Sequence, residues 1–177
     1  METKHLFLRP WDISDAVDLY RYAKDPDIGS NAGWPPLTSI EQGEKIIDYV
    51  LSSWGFFAIV LKETQEVIGC INLLIGEASN FDIEADEGEL GFWIGKPYWG
   101  LGYVTEAIEV MLLYAFHDLE LKKVWCGHFD DNTRSKRLQE KCGFKYSHTL
   151  ENVKTLTGEV KTEIVGYRTS AMSNNKY

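Results

Sequence analysis

The 177-residue sequence has few cysteines, no long apolar run and no excess of positive charge. Its three cysteines, Cys70, Cys126 and Cys142, are widely spaced and form no CxxC pair. Neither a disulfide framework nor a zinc site is therefore predicted, and we expect three reduced thiols and no metal. No apolar stretch approaches the ~20 residues that span a bilayer, and the charged N-terminus lacks the apolar segment of a signal peptide. We expect a cytoplasmic protein with no membrane partner.

The formal net charge of −9 argues against general affinity for nucleic acid, because such proteins present basic surfaces to the phosphates. The same charge could steer a basic partner, such as a peptide amine or a polyamine, toward the protein. The segment from Glu77 to Glu87 is strongly acidic and is predicted to be a solvated loop.

Two common nucleotide-binding motifs are absent. The turn Gly100-Leu101-Gly102 is followed by Thr105 where a third glycine would complete GxGxxG, and no GxxxxGK[ST] occurs. The residues therefore exclude both a Rossmann fingerprint and a P-loop.

The most informative stretch runs from Gly88 to Leu113. A predicted strand, Glu89 to Ile94, leads through a glycine-bearing turn directly into a helical pattern. The free amides and the dipole at such a helix N-terminus favour an anionic ligand. The residues alone leave open a second interpretation, in which this is a tight turn without a ligand.

The remaining pattern predicts an α/β (mixed α+β) fold: a mostly antiparallel twisted sheet of about seven strands with four helices. The segment 89–128 should supply one right-handed parallel strand pair. We expect one domain over residues 1–170 and a frayed tail over 171–177. The helices are expected from Asp12 or Ser14 to Lys24, from a Thr38 cap to Ser53, from Thr105 to Leu119 and from Asn132 to Cys142. An irregular stretch, Ile28 to Leu37, should follow the first helix, and the second should turn Ile40, Val50 and Trp54 toward the core.

The segment Glu89 to Ala107, with its Pro97-Tyr98-Trp99-Gly100-Leu101-Gly102-Tyr103 core, resembles the acyl-CoA motif of the GNAT N-acetyltransferases. It is most similar to the branch of Rim-type ribosomal-protein N-terminal acetyltransferases. A second matching motif is Asn132-x-x-Ser135 followed by Glu140-Lys141-Cys142-Gly143-Phe144. A third is Leu8-Arg9-Pro10 with Asp15-Ala16. These motifs extend over nearly the whole chain in the family's order.

The resemblance implies the GNAT fold, with the parallel strand pair splayed at the acyl-CoA site, and acetyl-CoA as co-substrate. The backbone of Phe92, Trp93 and Ile94 would pair with the pantetheine arm, and Asn132 would hydrogen-bond it. The pyrophosphate would lie in a turn that is formed by Trp99, Gly100, Leu101, Gly102, Tyr103, Val104 and Thr105. The family's usual pattern has Gln or Arg at the position of Trp99, and Gly or Ala at that of Val104.

The resemblance also implies catalytic roles. Ser135 would donate a hydrogen bond to the departing thiolate, and Glu89 is the candidate base, acting directly or through water. His128 is a second candidate base. Many family members have a tyrosine at the position of Gln139, so that acid is missing here.

The acceptor would be a primary amine, either a protein N-terminus (a basic or ribosomal protein included) or a small amine, attacking the thioester directly in a ternary complex. Trp34, Pro35 and Pro36 resemble the acceptor-side loop, and could join Trp54, Phe56 and Trp93 in an aromatic wall. The alternative is an acyl-CoA-binding sensor or scaffold of the same fold without catalysis. A monomer and a homodimer are both compatible with the sequence.

Overall fold

The computed structural model describes residues 1–173. Its strands are β1 (Leu6–Arg9), β2 (Phe56–Leu61), β3 (Val67–Ile75), β4 (Glu87–Ile94), β5 (Lys123–Phe129), β6 (Lys145–Lys154) and β7 (Val160–Thr169). Its α-helices are α1 (Ala16–Ala23), α2 (Pro26–Ala32), α3 (Ile40–Ile46), α4 (Tyr103–Leu113), α5 (Thr133–Lys141) and α6 (Ser170–Ser173). Within these residues, no helix has the length and apolar character that crossing a membrane requires.

The seven strands follow the order β1-β2-β3-β4-β5-β7-β6 and confirm the predicted mixed, mostly antiparallel sheet. The parallel pair is β4 with β5, as the strand–helix–strand segment predicted. Its register covers three residue pairs, from Glu87 opposite Lys123 to Glu89 opposite Trp125. Both strands are longer than this paired part, since β4 has eight residues and β5 has seven.

The described chain divides into two compact units, each built from separate segments. The first unit comprises Met1–Asn72 and Phe92–Ala107 and contains β1, β2 and helices α1 to α3. Its helices bury apolar faces against a cluster on one side of the strands, and burial of such surface is the main favourable term in folding. The buried members of this cluster are Trp11, Ala16, Leu19, Ala23, Leu37, Ile47, Leu51, Ala58, Val60, Val67 and Cys70.

The second unit comprises Leu73–Gly91 and the described residues from Ile108 onward. Within it, α4 buries Ile108, Met111 and Leu112, and the π-helical turn that follows, Tyr114–Asp118, buries Ala115 and Phe116. Cys126 and Cys142 are buried here and Cys70 is buried in the first unit, and all three are free thiols, as predicted. The expectation of a single domain over residues 1–170 stays a prediction.

The prediction of four helices was wrong, because α2 and α6 were not expected. Helix α2 occupies the start of the segment expected to be irregular. The side chain of Asp25 accepts a hydrogen bond from the Asp27 amide at 2.9 Å, and Pro26 takes the first helical position, where its missing amide costs nothing. Helix α6, Ser170–Ser173, takes the first part of the expected tail, whose residues 174–177 lie outside the described residues.

The second predicted helix differs in its faces and in its cap. It is α3 continued by a π-helical turn, Ile47–Leu51, in which Ser52 N donates to Ile47 O at 2.8 Å. The wider turn keeps Ile47 and Leu51 buried, but it rotates Val50 and Trp54 outward, so that 47% and 61% of their surfaces are exposed. Ile40, expected on the same inner face, is also exposed.

The N-cap of α3 is Ser39 and not Thr38. Ser39 Oγ accepts from the amide of Gln42 at 3.2 Å, while the Gln42 side chain accepts from the amide of Thr38 at 2.8 Å. The capping pair is therefore displaced by one residue from the prediction.

The backbone of β4 passes close to Gly69 of β3, and this contact requires glycine. A Cβ atom added at Gly69 would collide with the Trp93 carbonyl oxygen and lie 3.0 Å from Ile94 Cα. Gly43, inside α3, differs because an added Cβ would make ordinary contacts with Ala16, the nearest at 3.4 Å.

We predict that Gly69→Ala lowers the free energy of unfolding by about 1–3 kcal/mol, since the backbone must move to admit the methyl group. Gly43→Ala is the matched control, and it should raise stability by up to about 1 kcal/mol because alanine is the better helix former. Urea unfolding of both variants measures the two values. Equal effects of the two substitutions would contradict the assignment of Gly69 as a packing-restricted position.

Candidate functional site

In the first unit, β4 ends in a glycine turn that opens α4. A short 3₁₀ turn, Lys96–Tyr98, follows the strand, and Gly100 and Gly102 have φ values of 77° and 88°. A Cβ at either glycine would meet no atom within 4 Å. These glycines are therefore required by left-handed backbone conformation and not by crowding, and the space in front of them is open.

The first turn of α4 presents unpaired amides. Its hydrogen-bond ladder starts with Glu106 N donating to Gly102 O at 3.1 Å, which leaves the amides of Tyr103, Val104 and Thr105 outside the ladder. The helix dipole adds partial positive charge at the same end. The predicted turn and helix start thus fit a phosphate or pyrophosphate group, and Leu101 between the glycines is 61% exposed.

The carboxylate of Glu66 anchors this turn, and three side chains bind it. The Tyr98 hydroxyl donates to Glu66 at 3.0 Å, Tyr22 donates to the same carboxylate at 2.7 Å, and Arg21 forms an ion pair with it. Burial alone would raise the pKa of Glu66, but the hydroxyl hydrogen bonds and the Arg21 charge together lower it. Glu66 therefore stays ionised and fixes the position of the turn.

Two further contacts position this region. The Trp99 indole donates to the carbonyl of Ile94 at 3.0 Å, so the turn folds back on the end of β4. Glu106 accepts hydrogen bonds from the side chain of Thr3 and from the amide and ring of His5, each of the latter two at 2.8 Å. Glu106 thus joins α4 to the N-terminal segment.

The predicted aromatic wall is only partly present. Trp34 and Trp93 are in edge contact, with ring centroids 6.1 Å apart and an interplanar angle of 72°. Phe56 is half-buried against the same cluster. Trp54, expected in the wall or the core, is exposed instead because of the π-helical turn before it.

In the second unit, Gln139 organises the residues around Ser135. Its side-chain nitrogen donates to Gly127 O at 2.9 Å and to Ser135 Oγ at 3.2 Å. Because the Ser135 oxygen accepts that bond, its own hydrogen is directed elsewhere. Gln139 is 3% exposed, and its oxygen lies 3.4 Å from Nδ1 of His128. Burial is the main effect on His128 and lowers its pKa.

Asn132 is the N-cap of α5, since its side-chain oxygen accepts from the Ser135 amide at 3.1 Å. The motif Asn-x-x-Ser therefore has a local structural reason, because the asparagine fixes the turn of helix that carries the serine. Its hydrogen bond to pantetheine stays a prediction.

Glu89 anchors a neighbouring loop. Its carboxylate accepts from Ser79 Oγ at 2.8 Å, from the amide of Asn80 at 2.6 Å and from the Asn80 side chain at 3.1 Å. These bonds give Glu89 a structural role, and its role as the base stays a prediction.

The acidic segment is not solvated throughout. Glu87 was expected in the loop but lies in β4, where it is buried. Burial tends to raise its pKa, but Lys123 at 2.8 Å and the Trp125 indole at 2.6 Å lower it overall. These two partners, both on β5, allow the carboxylate to be buried.

Sequence reasoning missed three residues: Glu66, Gln139 as a hydrogen-bonding centre, and Glu163. Glu163 lies on β7, opposite Phe129 of β5 and Leu150 of β6. Burial first, and then the charge of Glu89, raise its pKa to about 7. The available signal was a carboxylate within an otherwise strand-forming run, two residues before the buried Val165.

Among the described residues no cluster of three metal-ligating side chains is found.

The sheet with one parallel pair, and the glycine turn leading from β4 to a helix N-terminus, define a class of α/β proteins that bind phosphate-bearing ligands through backbone amides. Residues 5–145 match the family model described as acetyltransferase (GNAT) domain. The chain therefore belongs to the GNAT acetyltransferase family, as its motifs predicted.

Individual relatives agree with this assignment. The chain is 29% identical over 163 residues to the uncharacterized N-acetyltransferase p20 of Bacillus licheniformis, covering 89% of each chain. It is 31% identical over 163 residues to an N-acetyltransferase 9-like protein of Caenorhabditis briggsae, covering 88% of this chain and 82% of that one. The crystal structure of the microcin C7 self-immunity acetyltransferase MccE, in complex with acetyl-CoA and AMP, shares the fold. Its TM-score is 0.77 at 20% identity, covering 94% of this chain and 93% of the other.

We predict that Gly102→Ala weakens CoA binding about 10-fold. Alanine in a left-handed conformation costs roughly 1–2 kcal/mol, so the free turn relaxes and binding must restore it. Gly158→Ala is the matched control, because Gly158 has a φ of 85° and open surroundings but lies in the β6–β7 hairpin. Titration calorimetry with CoA compares the two variants. An equal loss of affinity in both, or in neither, would contradict the assignment of the turn.

Proposed function

We propose that this protein transfers the acetyl group of acetyl-CoA to a primary amine, by direct attack of the amine on the thioester. The observation that carries the proposal is the open turn of Gly100 and Gly102 in front of the three unpaired amides of α4. Family membership supports the reaction class. The turn from Trp99 to Thr105 would hold the pyrophosphate, and the backbone of Phe92–Ile94 the pantetheine.

Ser135 is proposed to donate a hydrogen bond to the departing thiolate. The support is the bond from Gln139 to Ser135 Oγ, which leaves the hydroxyl hydrogen for another acceptor. Gln139 replaces the tyrosine of many family members and would act here as a positioning residue. Glu89 and His128 remain alternative bases within this proposal.

The acceptor is proposed to be a cationic primary amine, either a protein N-terminus, as the resemblance to the Rim-type branch suggests, or a small amine. The carboxylates of Glu89 and Glu163 and the net charge of −9 suit such a substrate. We propose a cytoplasmic location, and monomer and homodimer remain alternatives.

An acceptor screen tests this function. The protein is incubated with acetyl-CoA and peptides, polyamines or other small amines, and release of the CoA thiol is measured. Turnover on one class identifies the acceptor, and labelled acetyl-CoA with mass spectrometry separates proteins from small molecules. CoA binding without turnover on any amine would favour the sensor or scaffold, and the absence of both would contradict the proposal.

We predict that Ser135→Ala lowers kcat by roughly 10–10³, the range for losing one acid or hydrogen bond to a leaving group. The KM for acetyl-CoA should change little, because the hydroxyl would act mainly on the developing thiolate. Thr133→Ala, an exposed change on the same helix, is the control and should leave kcat unchanged. Steady-state kinetics measure both, and an unchanged kcat in Ser135→Ala would remove this residue from the mechanism.

A further inference from the structure

Two carboxylates of the second unit flank one glycine of β5. Trp125, Gly127 and Phe129 alternate onto one face of that strand. Glu89 pairs in register with Trp125 and Glu163 with Phe129, so both glutamates lie on the face of Gly127. A Cβ at Gly127 would collide with the Glu163 carboxylate and lie 3.0 Å from the Phe81 ring. The missing side chain at Gly127 thus provides the space that the Glu163 carboxylate occupies.

The two carboxylates have different hydrogen-bond environments. Glu89 accepts hydrogen bonds from Ser79 Oγ and from the amide of Asn80. For the carboxylate of Glu163, no hydrogen-bond donor or cationic partner is found within residues 1–173. Lys161, two residues earlier on β7, pairs with Asp131 at 3.1 Å instead. The carboxylate of Glu163 is therefore the one without a partner among these residues, and its Oε1 packs against Gly127.

The surroundings of Glu163 consist of one charged group, one thiol and apolar side chains. The charge of Glu89 on β4 and the thiol of Cys126 on β5 both interact electrostatically with Glu163. The ring of Phe81, in the loop before β4, lies near the same glycine. Its β6 partner, Leu150, is apolar. Burial and the Glu89 charge raise the pKa of Glu163 to about 7, where a carboxylate can both accept and release a proton at neutral pH.

We propose that Glu163 is the catalytic base of the acetyl transfer, and that Glu89 and Glu163 together select an acceptor that arrives as a cationic ammonium. The inference rests on the proposed function and gives it a base other than the two candidates from sequence. The two carboxylates attract the ammonium, and the unpaired one receives its proton.

The proton and electron balance is complete. The acceptor ammonium transfers one proton to the Glu163 carboxylate, which leaves a neutral amine. The nitrogen lone pair forms the C–N bond with the thioester carbonyl carbon, and the C–S bond breaks. The second amine proton ends on the CoA sulfur, and Glu163 then releases its proton to water. No oxidant, reductant or metal is required.

Comparison of pH profiles tests this assignment. For the wild type we expect kcat/KM to rise with pH through about 7, because the ionised form of Glu163 is the active one. Glu163→Gln should lower kcat/KM roughly 10²–10⁴-fold at neutral pH. It should also abolish the rise of kcat/KM through about pH 7, which we call the pH limb. In Glu89→Gln the limb should move to lower pH, since removal of a neighbouring negative charge lowers the pKa of Glu163.

Controls separate this proton transfer from general damage. Glu151→Gln changes an exposed carboxylate on the same β6–β7 hairpin and should keep the wild-type profile. CoA affinity, measured by calorimetry, should remain within about threefold of wild type in every variant if the fold is intact.

A weakly basic acceptor provides a second measurement. An aromatic amine is neutral at pH 7, so no proton must be removed before it attacks. The defect of Glu163→Gln should shrink at least 10-fold with such an acceptor, which a merely structural defect would not do.

The outcomes are distinct. If the wild type is active and Glu163→Gln keeps its rate and its limb, the inference is overturned while the proposed function stands. Loss of the limb in Glu89→Gln alone would assign the base to Glu89, and its loss only in His128→Asn would assign it to His128. A wild type that turns over no amine at any pH would overturn both the proposed function and this inference.

Discussion

The close approach of β4 to Gly69 is the constraint on which the candidate cofactor site depends. A backbone that binds ligand through its own amides and carbonyls must be held more accurately than one that presents flexible side chains. At Gly69 no side chain fits beneath the carbonyl of Trp93. At Gly95 an added Cβ would lie 2.6 Å from the ring of Tyr22, whose hydroxyl binds Glu66. The glycine turn can thus stay open toward solvent because it is fixed from the protein side.

Three glutamates of the second unit illustrate how environment decides the role of one chemical group. Glu87 is neutralised by Lys123 and the Trp125 indole, and Glu89 is held by Ser79 and Asn80. The carboxylate of Glu163 is half-buried beside the charge of Glu89. Its ionised form is therefore disfavoured, which is the condition under which a carboxylate becomes a useful base near neutral pH.

Gln139 shows that a departure from a family pattern need not mean a lost function. The residue takes the place of a tyrosine, yet it is buried and connects Gly127, Ser135 and His128. A phenol can supply a proton, whereas an amide can only orient its neighbours. Here Gln139 orients the hydroxyl of Ser135, the group that we propose assists the thiolate.

The sequence by itself determined the seven strands, the helix that follows the glycine turn and the family, because these depend on local periodicity and on motifs contiguous in the chain. For Trp54, however, the local pattern of the second helix gave a wrong prediction. The π-helical turn at Ile47–Leu51 places this residue at the surface and not in the core. Only the tertiary structure decided which carboxylates are paired. Glu89 and Glu163 are 74 positions apart in the sequence numbering and share a face only because β4 and β7 both pair with β5. The pKa of a carboxyl group depends on burial and on neighbouring charges in space, and neither is encoded in its immediate sequence.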